Sequence, residues 1–140
     1  MTTNIRPVIS RRNRYWISKH RYYELKHFCL QYYEWKKTYS QLDDVCVNGI
    51  DSFAIGRKEV HAKSDPVSKY AVLLAHYKTL MSLVEETANE TDSEIGKYLF
   101  ESVTKGCTYE QLRATKEIPC SRDMFYDRYR KFFWLLDKKR

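Results

Sequence analysis

The sequence predicts an all-α protein, a small helical bundle that ends in a helix-turn-helix. The 140-residue chain contains only 4 Gly and 3 Pro, which is few for a fold with many tight turns. Its apolar residues recur at the i, i+3, i+4, i+7 spacing of a helix face in several segments. Residues that favour helix N-caps stand before several of these segments, so all three observations indicate the same class.

The first predicted element is a long amphipathic helix from about residue 18 to residue 42. Its apolar face consists of Tyr22, Leu25, Phe28, Cys29, Tyr32, Tyr39 and Leu42. Residues 1–14, before this helix, are predicted to form a basic arm. Residues 43–65, after it, keep no period and contain Asn48-Gly49 and Gly56, so a long loop is predicted there.

Asp65 and Pro66 predict the start of a second helix, because an N-cap acceptor precedes a proline that needs no N–H at the first helical position. This helix is predicted to run to about Asn89. Its inward face would contain Val67, Tyr70, Ala71, Leu74, Tyr77, Met81 and Val84.

A third helix is predicted to follow, capped by Thr91 or Asp92. Its inward residues would be Ile95, Leu99 and Val103. Gly106 is suited to the left-handed conformation that commonly ends a helix. Residues 15–106 are therefore predicted to form a helical scaffold, and residues 107–140 a separate helix-turn-helix.

The last segment carries two helix starts in close succession. Thr108 and Gln111 have the spacing of a capping box, and the short helix that they begin must end before Pro119. Ser121 is predicted to cap a final helix that runs to about Lys138. Its apolar stripe consists of Phe125, Tyr129, Phe132 and Leu136. A short helix, a turn and a longer helix make a helix-turn-helix.

Charge is distributed in three blocks. Residues 1–40 hold nine basic and two acidic side chains, residues 41–103 hold six and eleven, and residues 104–140 hold ten and five. Basic regions attract polyanions, because each phosphate that is neutralised releases counterions. The two basic ends therefore favour a nucleic acid as partner.

The C-terminal pattern resembles a known family. The matching residues are Thr108, Glu110, Leu112, Ile118, Ser121, Arg122, Phe125 and Tyr126. In this order they resemble the region-4-like helix-turn-helix of sigma factors, and more closely the end of phage-encoded late transcriptional activators of the RinA and ArpU type. The resemblance covers about a quarter of the chain and implies a DNA-binding regulator of transcription.

The resemblance also implies which side chains would contact double-stranded DNA. Base-reading positions would be Ser121, Arg122, Asp123, Tyr126, Asp127 and Arg130. Phosphate contacts would come from Thr108, Arg113, Arg128 and Lys131. A simpler alternative is that Asp127 forms a solvated ion pair with Arg130 or Lys131, three and four residues further on.

Two further features suggest contact surfaces. Arg11, Arg12 and Arg14 in the basic arm could contact phosphates in a minor groove, or could simply be solvated. Trp134 lies opposite the apolar stripe of the last helix, which is an unusual place for a large aromatic ring. It is either a partner surface or packed beneath the N-terminal segment of its own chain.

No enzyme, cofactor or metal is predicted. The phosphate-binding, zinc-protease and nucleophile-elbow motifs are absent from the sequence. The four cysteines form no C-x-x-C pair, and we expect them to be reduced and buried. Asp43, Asp44, Asp51, Glu59 and Lys63 lie in the predicted loop, which is a poor support for a metal-dependent nuclease site.

The leading hypothesis is a phage or prophage regulator that binds DNA in the cytoplasm of a bacterial host, has no membrane segment and forms a possible homodimer. One alternative is a small helical phage effector that inhibits RNA polymerase or an RNA-guided defence nuclease. Another is a packaging protein similar to a small terminase subunit. The leading hypothesis requires Arg122 and its helical neighbours to project outward beside a groove. Acidic partners for these guanidinium groups, or cover by the first forty residues, would remove the case for DNA reading and leave a protein-binding helical protein.

Overall fold

A computed structural model describes residues 11–49 and 66–140. Its helices are α1 (Lys19–Leu30), α2 (Tyr32–Asp44) with a π-helical turn at Val45–Gly49, α3 (Pro66–Thr91), α4 (Gly96–Lys105), α5 (Tyr109–Thr115) and α6 (Arg122–Lys139). These described ranges contain no strand, so the predicted all-α class is confirmed for them. The predictions for residues 1–10, for residues 50–64 and for Asp65 lie outside the described residues.

The helix predicted over residues 18–42 is two helices, separated at Gln31. The Ser18 hydroxyl accepts the Arg21 N–H at 3.3 Å and caps α1. The Gln31 N–H donates to the carbonyl of Phe28 at 3.2 Å, a tighter turn that ends this helix. The apolar spacing continues across the break, which is why it predicted one helix. The helical conformation also persists through Gly49, so the predicted loop does not begin at residue 43.

The chain divides into two compact units. The described residues of the first are 11–32 and 83–140, and those of the second are 33–49 and 66–82. The boundary predicted between residues 106 and 107 falls inside the first unit. The C-terminal helices and α1 therefore share one core, which forms around residues that are far apart in sequence.

In the first unit, α1 packs against α4 and α6, and α4 also packs against α5. The buried apolar side chains include Tyr22, Leu25, Phe28, Cys29, Leu99, Val103, Phe125, Tyr129, Phe132, Phe133 and Leu136. Tyr22 and Tyr129 join α1 to α6 through hydroxyl groups 2.9 Å apart. The inward faces predicted for these parts of α1, α4 and α6 are thus confirmed.

The prediction that Thr91 or Asp92 caps α4 is wrong, because the N-cap is Ile95, which makes no side-chain cap bond. Asp92 instead holds the turn between α3 and α4. Its Oδ1 atom accepts the N–H groups of Glu94 at 2.8 Å and Ile95 at 3.1 Å. Gly96 then begins α4 so close to α3 that an added Cβ would lie 2.8 Å from the carbonyl oxygen of Ala88. At the other end of α4, Gly106 has a φ of 73°, the left-handed conformation that was predicted.

The inward face predicted for α3 is mostly uncovered by the described residues. Of its predicted members with a described side chain, Val84 is buried, Ala71 is exposed, and Tyr70, Leu74, Tyr77 and Met81 are half-buried. Val72, which was not assigned to the face, is 67% exposed. Helical periodicity identifies residues that share a face but does not show whether another element covers that face. The buried α3 residues are concentrated at its end, at Val84, Thr87, Ala88 and Thr91.

The free energy of unfolding is expected to fall at alkaline pH. Burial raises the pKa of the Cys29 thiol above its ordinary value of 9.0, and burial likewise raises that of the Tyr129 hydroxyl above 10.0. As the pH rises above about 9, the unfolded chain loses these protons before the folded chain does. Each group can then contribute a slope of up to about 1.4 kcal/mol per pH unit.

Urea unfolding between pH 7 and pH 11 measures this loss. A Tyr129→Phe variant should show a shallower decline above pH 10, because it lacks one of the buried protons. Equal free energies of unfolding at pH 7 and pH 11 would contradict the expectation.

Candidate nucleic-acid interface

The starts of α5 and α6 are fixed by the side chains predicted to cap them. The Thr108 hydroxyl accepts the Gln111 N–H at 3.2 Å, and the Gln111 side-chain oxygen accepts the Thr108 N–H at 2.8 Å. The Ser121 hydroxyl accepts the Met124 N–H at 3.2 Å. Both predicted caps are confirmed, and both hydroxyl groups satisfy helix backbone in the free protein.

Tyrosine side chains hold α5 against α6. The Tyr109 N–H donates to the Tyr126 hydroxyl at 3.1 Å, and the Tyr109 hydroxyl donates to the carbonyl of Cys120 at 2.7 Å. Tyr126 is only 5% exposed. Because this side chain is buried and its hydroxyl is already bonded to Tyr109, we do not expect Tyr126 to contact a base, although the family resemblance implied that it would.

Arg122 is at the surface, and its guanidinium has an acidic partner, which is the arrangement that counts against the leading hypothesis. Its Nε atom donates to Glu110 at 2.6 Å, and its guanidinium lies 5.1 Å from the centre of the Tyr126 ring. The two side chains of the ion pair remain 46% and 59% exposed. The bond from Arg122 lowers the pKa of Glu110. Because exposed pairs contribute at most about 1 kcal/mol, a DNA phosphate or guanine could compete with Glu110 for Arg122.

Arg128 connects α6 to the turn before α4. Its Nε atom donates to Asp92 at 3.1 Å, and its Nη1 atom donates to Asp127 at 2.7 Å. Asp127 therefore pairs with Arg128, and not with Arg130 or Lys131 as the simpler alternative expected. With both carboxylates in place, Arg128 links α6 to the turn before α4 and is a poor candidate for phosphate contact.

The other cations implied by the resemblance differ in environment. Arg113 is exposed on α5, where it lines a surface groove together with Glu110, Ser121 and Arg122. Arg130 and Lys131 are half-buried on α6. The Nε atom of Arg130 is buried and has no hydrogen-bond partner among the described residues. Asp123 is exposed at the start of α6.

Trp134 packs against its own chain. Its ring meets the ring of Tyr15 edge to face, with centroids 5.4 Å apart, and the Lys138 ammonium lies 3.5 Å from its centre. Tyr15 and Ile17 are buried, so this stretch of the N-terminal segment is anchored. Part of the ring surface predicted for a partner is thus occupied by the N-terminal segment, as the intramolecular alternative expected.

The predicted arm residues Arg11 and Arg14 also contact aromatic rings. The Arg11 guanidinium lies 5.6 Å from the centre of Trp16, and that of Arg14 lies 4.7 Å from the centre of Tyr15. Arg12 is exposed. Lys138 was not among the predicted contact residues, although its position four residues after Trp134 places both on one side of a helix.

Within the described ranges, no three His, Cys, Asp or Glu side chains are grouped as metal ligands. Of the four free cysteines, Cys29 is buried, whereas Cys46, Cys107 and Cys120 are half-buried, so the expectation of burial holds for one of them. No helix among the described residues is both long enough and apolar enough to cross a membrane.

Comparison with protein-family models, curated proteins and solved structures gave no match.

Proposed function

We propose that this protein is a DNA-binding regulator of transcription of the phage type that its C-terminal sequence resembles. In this proposal α5 and α6 act as a helix-turn-helix, and the start of α6 enters the major groove of duplex DNA. The observation that supports it is the environment of Arg122. This side chain is exposed at the first position of α6 and lines a groove with Arg113, while the opposite side of α6 is locked into the core.

The proposed contact set is smaller than the one implied by the resemblance. Arg122 and Asp123 would face bases, and Arg113 would contact phosphate. Arg130 and Lys131, half-buried and further along α6, would contribute a phosphate contact at most. Ser121 would act through the N-terminus of α6, which it caps and where backbone N–H groups attract anions. Thr108 would serve as the cap of the short helix α5. Tyr126 and Arg128 would support the interface from within the protein.

Glu110 has a defined place in this proposal. In free protein its carboxylate holds Arg122 over Tyr126, and in the complex Arg122 would exchange this carboxylate for guanine O6 and N7. Glu110 would therefore lower DNA affinity in two ways, by competing for Arg122 and by repelling phosphate. Its carboxylate would also discourage weak binding to arbitrary sequences.

Glu110→Gln is expected to strengthen duplex binding, whereas Arg122→Gln should weaken it by about 1–3 kcal/mol per lost base contact. Fluorescence anisotropy with duplexes enriched from a random library, compared with scrambled duplexes, measures both effects. Lys97→Gln, at an exposed position on α4, is the matched control for loss of one positive charge.

In the double variant E110Q/R122Q, the change at Glu110 should increase duplex affinity less than it does alone, because there is no arginine left for the carboxylate to release. If Arg122→Gln binds enriched and scrambled duplexes in the same ratio as the parent, Arg122 does not read bases and the proposed function is wrong.

A protein-binding effector is the second candidate function. The exposed Val72 and Leu73 side chains on α3 favour it, since apolar surface is common at the centre of protein interfaces. A host protein such as RNA polymerase that is retained from lysate after nuclease treatment, and lost in a Val72→Asp variant, would support this function. Retention that depends on nucleic acid would support the regulator.

A further inference from the structure

Three cations at one surface of the first unit contact aromatic rings. We define the basic–aromatic patch as Arg11, Arg14, Tyr15, Trp16, Trp134 and Lys138. Arg11 lies over Trp16, Arg14 over Tyr15, and Lys138 over Trp134. Within the described residues, none of these three cations is paired with a carboxylate. By contrast, Arg122 and Arg128 near the start of α6 are both paired with carboxylates.

The backbone that carries the arginines of the patch has a defined conformation. The Tyr15 N–H donates to the side-chain oxygen of Asn13 at 2.9 Å, and the Trp16 N–H donates to its carbonyl at 3.0 Å. Tyr15 is 7% exposed and packs against Trp134. Arg14 therefore precedes a residue whose position is fixed by its packing against Trp134. Trp134 acts as a positioning residue that fixes the N-terminal segment on α6.

The acidic residues closest in sequence to the patch are already paired with another cation, Arg21. The first acidic residue in the sequence is Glu24, and Glu24 pairs with Arg21. Asp137, adjacent to Lys138 in sequence, is also bound to Arg21, at 2.6 Å. On α6, the residues three and four positions from Trp134 are Arg130, Lys131, Asp137 and Lys138, so three of the four are basic.

The positions of the cations indicate the chemistry of the ligand. A cation over a ring keeps its full charge, so Arg11, Arg14 and Lys138 can each still bind an anion. Stacking a base on Trp16 or Trp134 would have to displace Arg11 or Lys138 from the ring. The patch is thus better suited to phosphate groups than to unpaired bases.

We propose that the basic–aromatic patch binds the phosphate backbone of duplex DNA independently of sequence. This inference rests on the proposed function and extends it, because it adds a phosphate-binding surface away from the start of α6. Arg122 and Lys138 are sixteen positions apart on α6, which corresponds to about 24 Å along the helix axis. The two ends of α6 therefore have different tasks, base reading at the first and phosphate binding at the second.

The salt dependence of duplex binding tests the patch separately from base reading. Each phosphate contact contributes about −0.9 to the slope of log Kobs against log salt concentration. The triple variant R11Q/R14Q/K138Q should therefore flatten the slope by about 3 and leave the affinity ratio between enriched and scrambled duplexes unchanged. The matched control K36Q/K37Q/K97Q removes three exposed cations elsewhere and should keep the parental slope.

The outcomes distinguish the two proposals. If R11Q/R14Q/K138Q keeps the parental slope and thermal unfolding midpoint, the patch does not bind phosphate and the inference is overturned. If Arg122→Gln leaves the affinity ratio unchanged while the patch variant still flattens the slope, base reading fails and the patch stands. The inference is also overturned if the patch variant loses binding to single-stranded DNA, or to vesicles of phosphatidylserine and phosphatidylcholine, but not to duplex.

Discussion

Replacement of Phe133 by alanine is expected to lower the free energy of unfolding by about 3–5 kcal/mol, the usual cost of removing a buried aromatic ring. Phe133 is fully buried. Its ring centre lies 5.1 Å from that of Tyr22 and 5.0 Å from those of Tyr129 and Phe132. Because this ring joins α1 to α6, its loss would open a cavity at the contact between the two helices.

Urea unfolding of Phe133→Ala measures this effect, with Phe133→Leu as a variant that keeps more of the volume. Met124→Ala is the matched control, since Met124 is on the same helix but is exposed, and it should change the free energy by less than about 0.5 kcal/mol. A cost below about 1 kcal/mol for Phe133→Ala would contradict the packing described for this unit.

Gly96→Ala is expected to destabilise the protein by about 1–3 kcal/mol or more, although the same change in an ordinary helix is favourable by up to about 1 kcal/mol. The added methyl group would lie 2.8 Å from the carbonyl oxygen of Ala88 and 3.4 Å from the Cα atom of Asn89. Both are backbone atoms, so a rotamer change cannot relieve the contact. The end of α3 and the start of α4 would have to separate.

Thermal unfolding of Gly96→Ala and of Lys97→Ala compares alanine at two neighbouring positions of α4. Only the alanine at position 96 would lie against the backbone of α3. Lys97 is exposed and next in sequence, and alanine there should be neutral or slightly stabilising. An unfolding midpoint for Gly96→Ala at or above that of the parent would show that α3 and α4 do not approach each other this closely.

These predictions illustrate which features could be predicted from sequence. The caps at Thr108 and Ser121 and the apolar stripe of α6 depend on residues within a few positions of each other, and they were predicted correctly. The proximity of Gly96 to Ala88 and the contact between Tyr15 and Trp134 depend on how separate segments pack. Residue spacing alone does not contain that information.

Tyr126 shows a different limit. The family resemblance assigned it to base reading, because of its place after Phe125 in the matched pattern. Yet Tyr126, Tyr129 and Phe133 have i, i+3, i+7 spacing and form a second apolar stripe beside the predicted one. The burial of Tyr126 could therefore have been predicted by giving the spacing more weight than the resemblance.

Neither residue spacing nor the family resemblance could have predicted the pairing of Arg122 with Glu110. These residues are twelve positions apart and belong to different helices. Their contact depends on the angle between α5 and α6 and on the connection between them. The same holds for Arg128, whose partner Asp92 precedes it by 36 positions.

The contact between α1 and α6 has a consequence for synthesis of the protein. Tyr22 and its partner Tyr129 are 107 residues apart. At translation rates of roughly 5–20 residues per second, the ribosome takes roughly 5–20 s to add that much chain. During this interval the apolar side of α1 is exposed on the nascent polypeptide, because α6 has not yet been synthesised. Binding of α1 by a chaperone such as a holdase would be most useful in those seconds, before α6 emerges and closes the core.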